Sequence, residues 1–300
     1  MRLNYYKGNN FGDALNPLIF HKLLPGFFDD DPAIDFFGIG SIIGANMKEY
    51  ERKIIFSSGF AYGTKPTLDA SYDIICVRGP LTAKAMNIDP NLGIVDGAAL
   101  LREFNFAKPA KAYDLTFMPH FESEKKYPWE KICREAGIHY VSPTSDPMFV
   151  IDEILKSKTV IAEAMHYAIV ADVLRVPWIA VKAYPGINDF KWNDWTKSLD
   201  MAYNPTSLGS LFQEPELNKK LKEKTNGKLP GAIYTLMTKA YIGYQEAYLK
   251  GATVKGLRDV TKLAPQLSKD TVFHEKTDRL LEKLSLVKQK YMQKSPAINS

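Results

Sequence analysis

The feature that most constrains this chain is an alternation. Short runs rich in β-branched and aromatic residues end in Gly, Ser or Asn, or run into a turn, and helical patterns fall between them. RLNYY (2–6), IDFFGIGSII (34–43), KIIFSSG (53–59) and YDIICVR (72–78) read as strands. ALNPLIFHKLL and PLTAKAM read as helices. Buried strands that alternate with helices predict parallel βα units, because parallel strands need a crossover that covers the sheet. The pattern restarts after AKPAKA with YDLTFMPHF (113–121) and continues through IHYVSP, KTVIA and WIAVKAY. The expectation is an α/β chain with one lobe over residues 1–110 and a second over 111–204.

Past about residue 205 the strands stop, and 205–300 reads as a helical, basic region. GAIYTLMTKAYIGYQEAYLKGA is patterned for a helix and rich in tyrosine. Phe273, Thr277, Leu280, Leu281, Leu284, Val287 and Tyr291 recur at three- and four-residue steps, which makes one apolar helical face with a lysine-rich complement. Such a face packs on the lobes or in a homo-oligomer, and a helix lying on a membrane surface is the alternative. Residues 205–300 hold 17 Lys and Arg against 9 Asp and Glu, whereas 1–204 hold 22 against 25. A basic segment suits an acidic membrane face, another anionic partner, or a solvated surface.

With 45% hydrophobic residues, the 300-residue chain can bury a substantial core. Cys76 and Cys133 both fall in predicted core segments, so a reducing cytoplasm is expected. The N-terminal residues show no apolar leader, and no run of about 18 apolar residues predicts a membrane span. No HxxxH, HExxH or paired CxxC spacing supports a metal site. GxSxG and GxxxxGK[ST] are absent, as is a basic–aromatic pattern for nucleic acid.

Ligands of open parallel sheets gather at the carboxyl ends of strands, where helix N-termini offer free amides and a positive dipole. GNNFGDALNP places Asn10, Gly12 and Asp13 after the first strand, with Asp13 suited to cap the helix and Asn16-Pro17 in its first turn. GIGSIIG brings Gly38, Gly40, Ser41 and Gly44 to the second strand end, and SSG brings Ser57, Ser58 and Gly59 to the third. Arg78 follows the fourth strand just before a Gly-Pro helix start, where its donor fork fits carboxylate or phosphate; a salt bridge to Asp96 or Asp73 is the structural alternative. In the second lobe His120 ends LTFMPH, and Glu163 and His166 follow the strand TVIA. His21, His139 and His274 lack such settings and read as structural or surface residues.

Together, NFGDALNPLIFHKLLPGFFDDD, GIGSII, VRGPLTA, MPHF, TVIAEAMHYAIVADVLRVPWIAV and FKWNDWTKSL resemble the polysaccharide pyruvyl transferase family. The resemblance runs from about residue 3 to residue 201 and is greatest to the succinoglycan-type exopolysaccharide ketal-pyruvyl transferases. It implies two Rossmann-like lobes around a cleft, similar to two-domain GT-B glycosyltransferases. It also implies phosphoenolpyruvate as donor substrate, with no cofactor or metal, and an oligosaccharide or lipid-linked glycan as acceptor. Pyruvate would be installed as a ketal across two hydroxyls, with release of phosphate. Arg78 matches the family's first-lobe arginine, and His166 matches the histidine of its RxH motif. Ala164 departs from that motif, so another cation is expected, Lys191 ahead of Lys182.

On this reading His166 acts as acid or base, and Asp13 or Glu163 orients it or takes a proton. Arg78, Asn10, Gly12, Gly40, Ser41, Gly59, His120 and Lys191 surround the substrates. The expected setting is cytoplasmic, with peripheral membrane association left open. Two other readings also stay open: a glycosyltransferase using a nucleotide sugar, and a non-enzymatic protein of polysaccharide assembly.

Overall fold

The computed structural model describes residues 1–44, 47, 49–208, 214–245 and 250–292. Strands β1 (Arg2–Asn4), β2 (Ile34–Phe37), β3 (Arg52–Phe56) and β4 (Tyr72–Cys76) form one sheet in that order, all parallel. Strands β5 (Tyr113–Met118), β6 (His139–Tyr140), β7 (Ser157–Ala162), β8 (Trp178–Lys182) and β9 (Thr206–Ser207) form a second parallel sheet in the order β6-β5-β7-β8-β9. Helices α1 (Phe11–Leu23) and α2 (Pro80–Met86) belong to the first lobe. The second lobe carries α3 (Phe121–Glu124), α4 (Trp129–Ala136), α5 (Pro147–Leu155), α6 (Met165–Val173) and α7 (Asp189–Ser198). Then follow α8 (Glu214–Lys224), α9 (Gly231–Tyr244), α10 (Lys250–Val260) and α11 (Asp270–Met292). Parallel strands crossed by helices make two Rossmann-like lobes, as the alternation predicts.

Several expected boundaries move, each for a local reason. IDFFGIGSII is strand only to Phe37, because the Asn16 side chain takes over the backbone of Ile39: its Oδ1 accepts the Ile39 amide at 2.8 Å and its Nδ2 donates to the Ile39 carbonyl at 2.9 Å. KIIFSSG stops at Phe56, since Ser57 turns to φ 62. Helix α1 starts at Phe11 with Asn10 as its N-cap, which places Asp13 in the first turn and Pro17 beyond it. Pro17 has no amide to give to the Asp13 carbonyl, and Asn16 Nδ2 donates there instead, at 3.0 Å. The sheet also gains β9 at Thr206–Ser207, past the point where the apolar runs end. Residues 246–249 of the expected tyrosine-rich helix lie outside the described residues.

The lobes are filled by aromatic clusters: Phe20, Phe36 and Phe56 in the first, and Trp178, Trp192 and Trp195 in the second. The C-terminal helices cover both lobes. Helix α10 buries Val254, Leu257 and Val260 and packs on α4. Gln266 then pairs with Trp178 through two backbone bonds of 2.9 and 2.7 Å. Helix α11 buries Phe273, Thr277, Leu280, Leu284 and Val287 against β4 and the 3-10 helix Gly97–Glu103. At roughly 1.5–3 kcal/mol per buried large apolar side chain, that stripe is a strong dock onto the first lobe. It is therefore not available to lie on a membrane. Leu280→Ala should cost about 2–5 kcal/mol in urea unfolding, whereas Leu286→Ala on the exposed side should stay within about 0.5 kcal/mol.

Candidate active site

The carboxyl ends of the two sheets face a shared cavity of about 500 Å³. Its first-lobe wall includes Asn10, Gly12, Asp13, Gly40 and Ser41, and its second-lobe wall includes His120, Ala164, His166 and Lys191.

Behind the first wall the lobes are locked together by a buried ion pair. Arg78 Nε donates to Asp194 Oδ2 at 3.0 Å, and both side chains are fully buried. Arg78 Nη1 also donates to Ser41 Oγ at 2.6 Å, and Nη2 to the Phe60 carbonyl at 3.5 Å. Asp194 Oδ1 accepts the amides of Leu81 and Thr82, each at 2.9 Å, and Oδ2 accepts the Thr82 hydroxyl at 2.6 Å. Helix α2 has Gly79 at its N-cap with no side chain of its own to offer, so a carboxylate from the other lobe caps it. Gly59 is needed for the same lock, because a Cβ there would lie 2.2 Å from the Arg78 guanidinium carbon.

His166 is the second residue of α6 and enters the cavity from the second lobe. Its ring lies against α1 of the first lobe, where a Cβ on Gly12 would come within 2.0 Å of Nδ1. Its Nε2 sits 3.6 Å from Asp96 Oδ2. Both of these atoms are buried with no other hydrogen-bond partner among the described residues, so each has the other as its polar neighbour. Burial pushes the Asp96 carboxyl up, but His166, Arg78 and the Ala98 amide outweigh it and hold the group below the usual range. Asp13 is raised: burial outweighs the opposing pull of His166, the Asn10 hydrogen bond and Lys191. Asn10 Nδ2 donates to Asp13 Oδ2 at 2.6 Å and fixes its carboxylate.

Four helices begin at this cavity, and their first turns differ. Helix α1 is capped by Asn10, α3 by His120 and α7 by Asn188, while α6 has Ala164 at its N-cap and no side-chain acceptor. Lys191 is the one lysine or arginine among the described lining residues. It reaches across to Tyr62 of the first lobe, with Nζ 3.0 Å from the hydroxyl. His120 lies in the wall with its titration pushed down to about 3 by burial, aided by Lys191 and Lys125, so it is neutral. Its Nδ1 accepts the Glu122 amide at 3.3 Å, which leaves the proton on Nε2. Lys182 instead pairs with Asp189 at 2.8 Å.

No family model matches the chain. It is 34% identical to succinoglycan biosynthesis protein ExoV of Rhizobium meliloti (strain 1021) over 304 residues, covering 94% of this chain and 96% of that protein. The chain belongs to the succinoglycan-type polysaccharide pyruvyl transferase family.

Within this pyruvyl transferase fold, eight of the residues singled out by sequence meet at the cavity: Asn10, Gly12, Asp13, Gly40, Ser41, His120, His166 and Lys191. Three do not line it. Arg78 and Gly59 stand behind the wall, and the Arg78 partner is Asp194 rather than Asp96 or Asp73. Asp73 instead pairs with Lys290 of α11 at 2.6 Å. Glu163 is also buried behind the wall: its oxygens accept the amides of His120 at 3.0 Å, Ala183 at 2.9 Å and Tyr184 at 2.6 Å. Its carboxylate thus ties together the loops after β5 and β8. Burial raises the Glu163 carboxyl against these bonds.

Sequence reading missed Asp96 as a partner of His166, and Asp194 altogether. The first ends the apolar pair Ile94-Val95 just before Gly97, a local signal of the kind used at the other strand ends. The second is 116 residues from Arg78 and carries no local signal. Asp194→Ala would leave a buried guanidinium unpaired and α2 uncapped. It should cost about 3–5 kcal/mol in urea unfolding; a loss under about 1 kcal/mol would show that the lock does not hold the lobes.

Proposed function

We propose that the cavity binds phosphoenolpyruvate and a diol of a saccharide and joins them as a pyruvate ketal, within exopolysaccharide synthesis. The observation that carries this reading is the meeting of His166, Lys191 and the uncapped start of α6 in one cavity between the lobes. The donor is an anion with a carboxylate and a phosphate. Amides at an uncapped helix start and one lysine suit it, and they stand where Ala164 leaves no arginine. The exposed rings of Tyr6 and Tyr62, with Tyr184, give the cavity mouth flat apolar faces for a sugar.

In this scheme His166 gives a proton to the donor methylene while a sugar hydroxyl adds to C2. Asp13, with its raised carboxyl beside His166, receives the hydroxyl proton. The second hydroxyl then displaces phosphate at C2 and closes the ketal. Of the two hydroxyl protons, one balances the new methyl hydrogen and the other leaves with phosphate. Asp96, 3.6 Å from Nε2, positions His166.

Incubation with phosphoenolpyruvate and a lipid-linked or free oligosaccharide should release phosphate and add a ketal. His166→Ala should lower that rate at least ~100-fold. Near-normal turnover in the variant would remove His166 from the chemistry, and binding of a nucleotide sugar without phosphoenolpyruvate would replace the reading by glycosyl transfer. Asp96 orients His166 without lining the cavity, so Asp96→Asn should lower kcat with little change in KM. An unchanged kcat would mean that Asp96 supports the fold only.

A further inference from the structure

The hairpin of α8 and α9 is the part of the molecule that the two lobes leave unexplained. Helix α9 has 14 residues and one charge, Lys239. Its buried side chains are Tyr234 and Thr238. The Tyr234 hydroxyl accepts the Leu229 amide at 3.1 Å and bonds Thr225, so this stripe faces α8 and the turn. Elsewhere the helix is apolar and open: Leu236 is 69% exposed, Tyr244 50%, Met237 42% and Ile233 40%. Steps of three and four residues put these side chains on one side of the helix. The charge of the hairpin is mostly positive, since residues 214–245 contain six lysines and three acidic residues, Glu214, Glu216 and Glu223.

We propose that this hairpin docks the protein on an anionic lipid bilayer. Ile233, Leu236, Met237 and Tyr244 would enter the boundary between headgroups and acyl chains, with the lysines over lipid phosphates. Helix α9 spans only about 21 Å, short of the roughly 30 Å hydrocarbon core, so it lies in the interface and does not cross. Among the described residues no helix is long and apolar enough to cross a membrane. Charge selects the bilayer over a second copy. A twofold contact sets the same patch against itself and would oppose one net positive hairpin to another, whereas an anionic surface neutralises the excess lysine. Aliphatic side chains beside tyrosine and lysine are also the composition that settles at headgroup level. The inference does not depend on the chemistry of the cavity.

Co-sedimentation of the full chain with vesicles tests it. Vesicles containing phosphatidylglycerol should bind the protein, and binding should be lost at about 1 M salt. Vesicles of phosphatidylcholine alone should bind much less. Leu236→Asp together with Met237→Asp should weaken binding at least ~10-fold, and Lys222→Glu together with Lys224→Glu about as much. Leu286→Asp, on the exposed side of α11, should leave binding unchanged. The substituted side chains are exposed, so circular dichroism and melting of the variants should match the parent. Full binding by the Leu236→Asp/Met237→Asp variant, binding indifferent to lipid charge, or no binding to either vesicle overturns the proposal. A solution dimer that this variant converts to monomer, with no vesicle binding, overturns it in favour of a second copy.

Discussion

The ion pair between Arg78 and Asp194 sets the relation between the lobes. Two fully buried charges are costly to separate, because each would be left desolvated and unpaired. Here the cost of burial is offset by a complete set of partners. The guanidinium reaches Asp194, Ser41 and the Phe60 carbonyl, and the carboxylate collects two amides and a hydroxyl from the start of α2. Ser41 is itself in the cavity wall, so the lock and the site share a residue. Asn188 adds a second tie from α7, donating to the Ala61 carbonyl at 2.7 Å. The cavity is thus shaped by side chains that act across the lobes, before any ligand enters.

That arrangement decides where charge is available. The arginine that sequence reading puts at the cleft mouth is neutralised inside the lobe interface. The lining keeps Asp13 and Glu122 as acids against Lys191 and His166. Such a site is not a cationic funnel. Under the proposed reading, recognition of an anionic donor would rest on directed amides and one lysine, which act at short range. The same economy of charge suits acid–base work, because His166 stands between two first-lobe carboxylates, Asp96 behind it and Asp13 in the cavity wall.

What was legible in the sequence followed from local pattern. Apolar runs located eight of the nine strands, and the final heptad-like stripe located α11 and its buried face. Strand-end polarity brought Asn10, Asp13, His120 and His166 to attention, since βα topology alone carries such residues to one edge of the sheet. The rest depended on partners far apart in the chain. Nothing near Arg78 indicates Asp194, nothing near Glu163 indicates the amides of residues 183 and 184, and the shortening of β2 is caused by Asn16 from another element. A two-residue strand such as β9 has too few positions to show a period.

The basic tail illustrates how a structure redistributes a charge that composition merely counts. On α11 two of the positive residues reach the body: Lys290 meets Asp73, and Arg279 donates to the Asn91 carbonyl at 2.8 Å. On α10, Lys250 meets Glu135 of α4 at 2.6 Å. These helices fasten the lobes with apolar stripes and edge their contacts with ion pairs to acids of residues 1–204. The hairpin of α8 and α9 is held chiefly by the packing of its two helices on each other. The hairpin sets an excess of lysine beside an open apolar wall, and a surface of opposite charge is the environment that would make use of both.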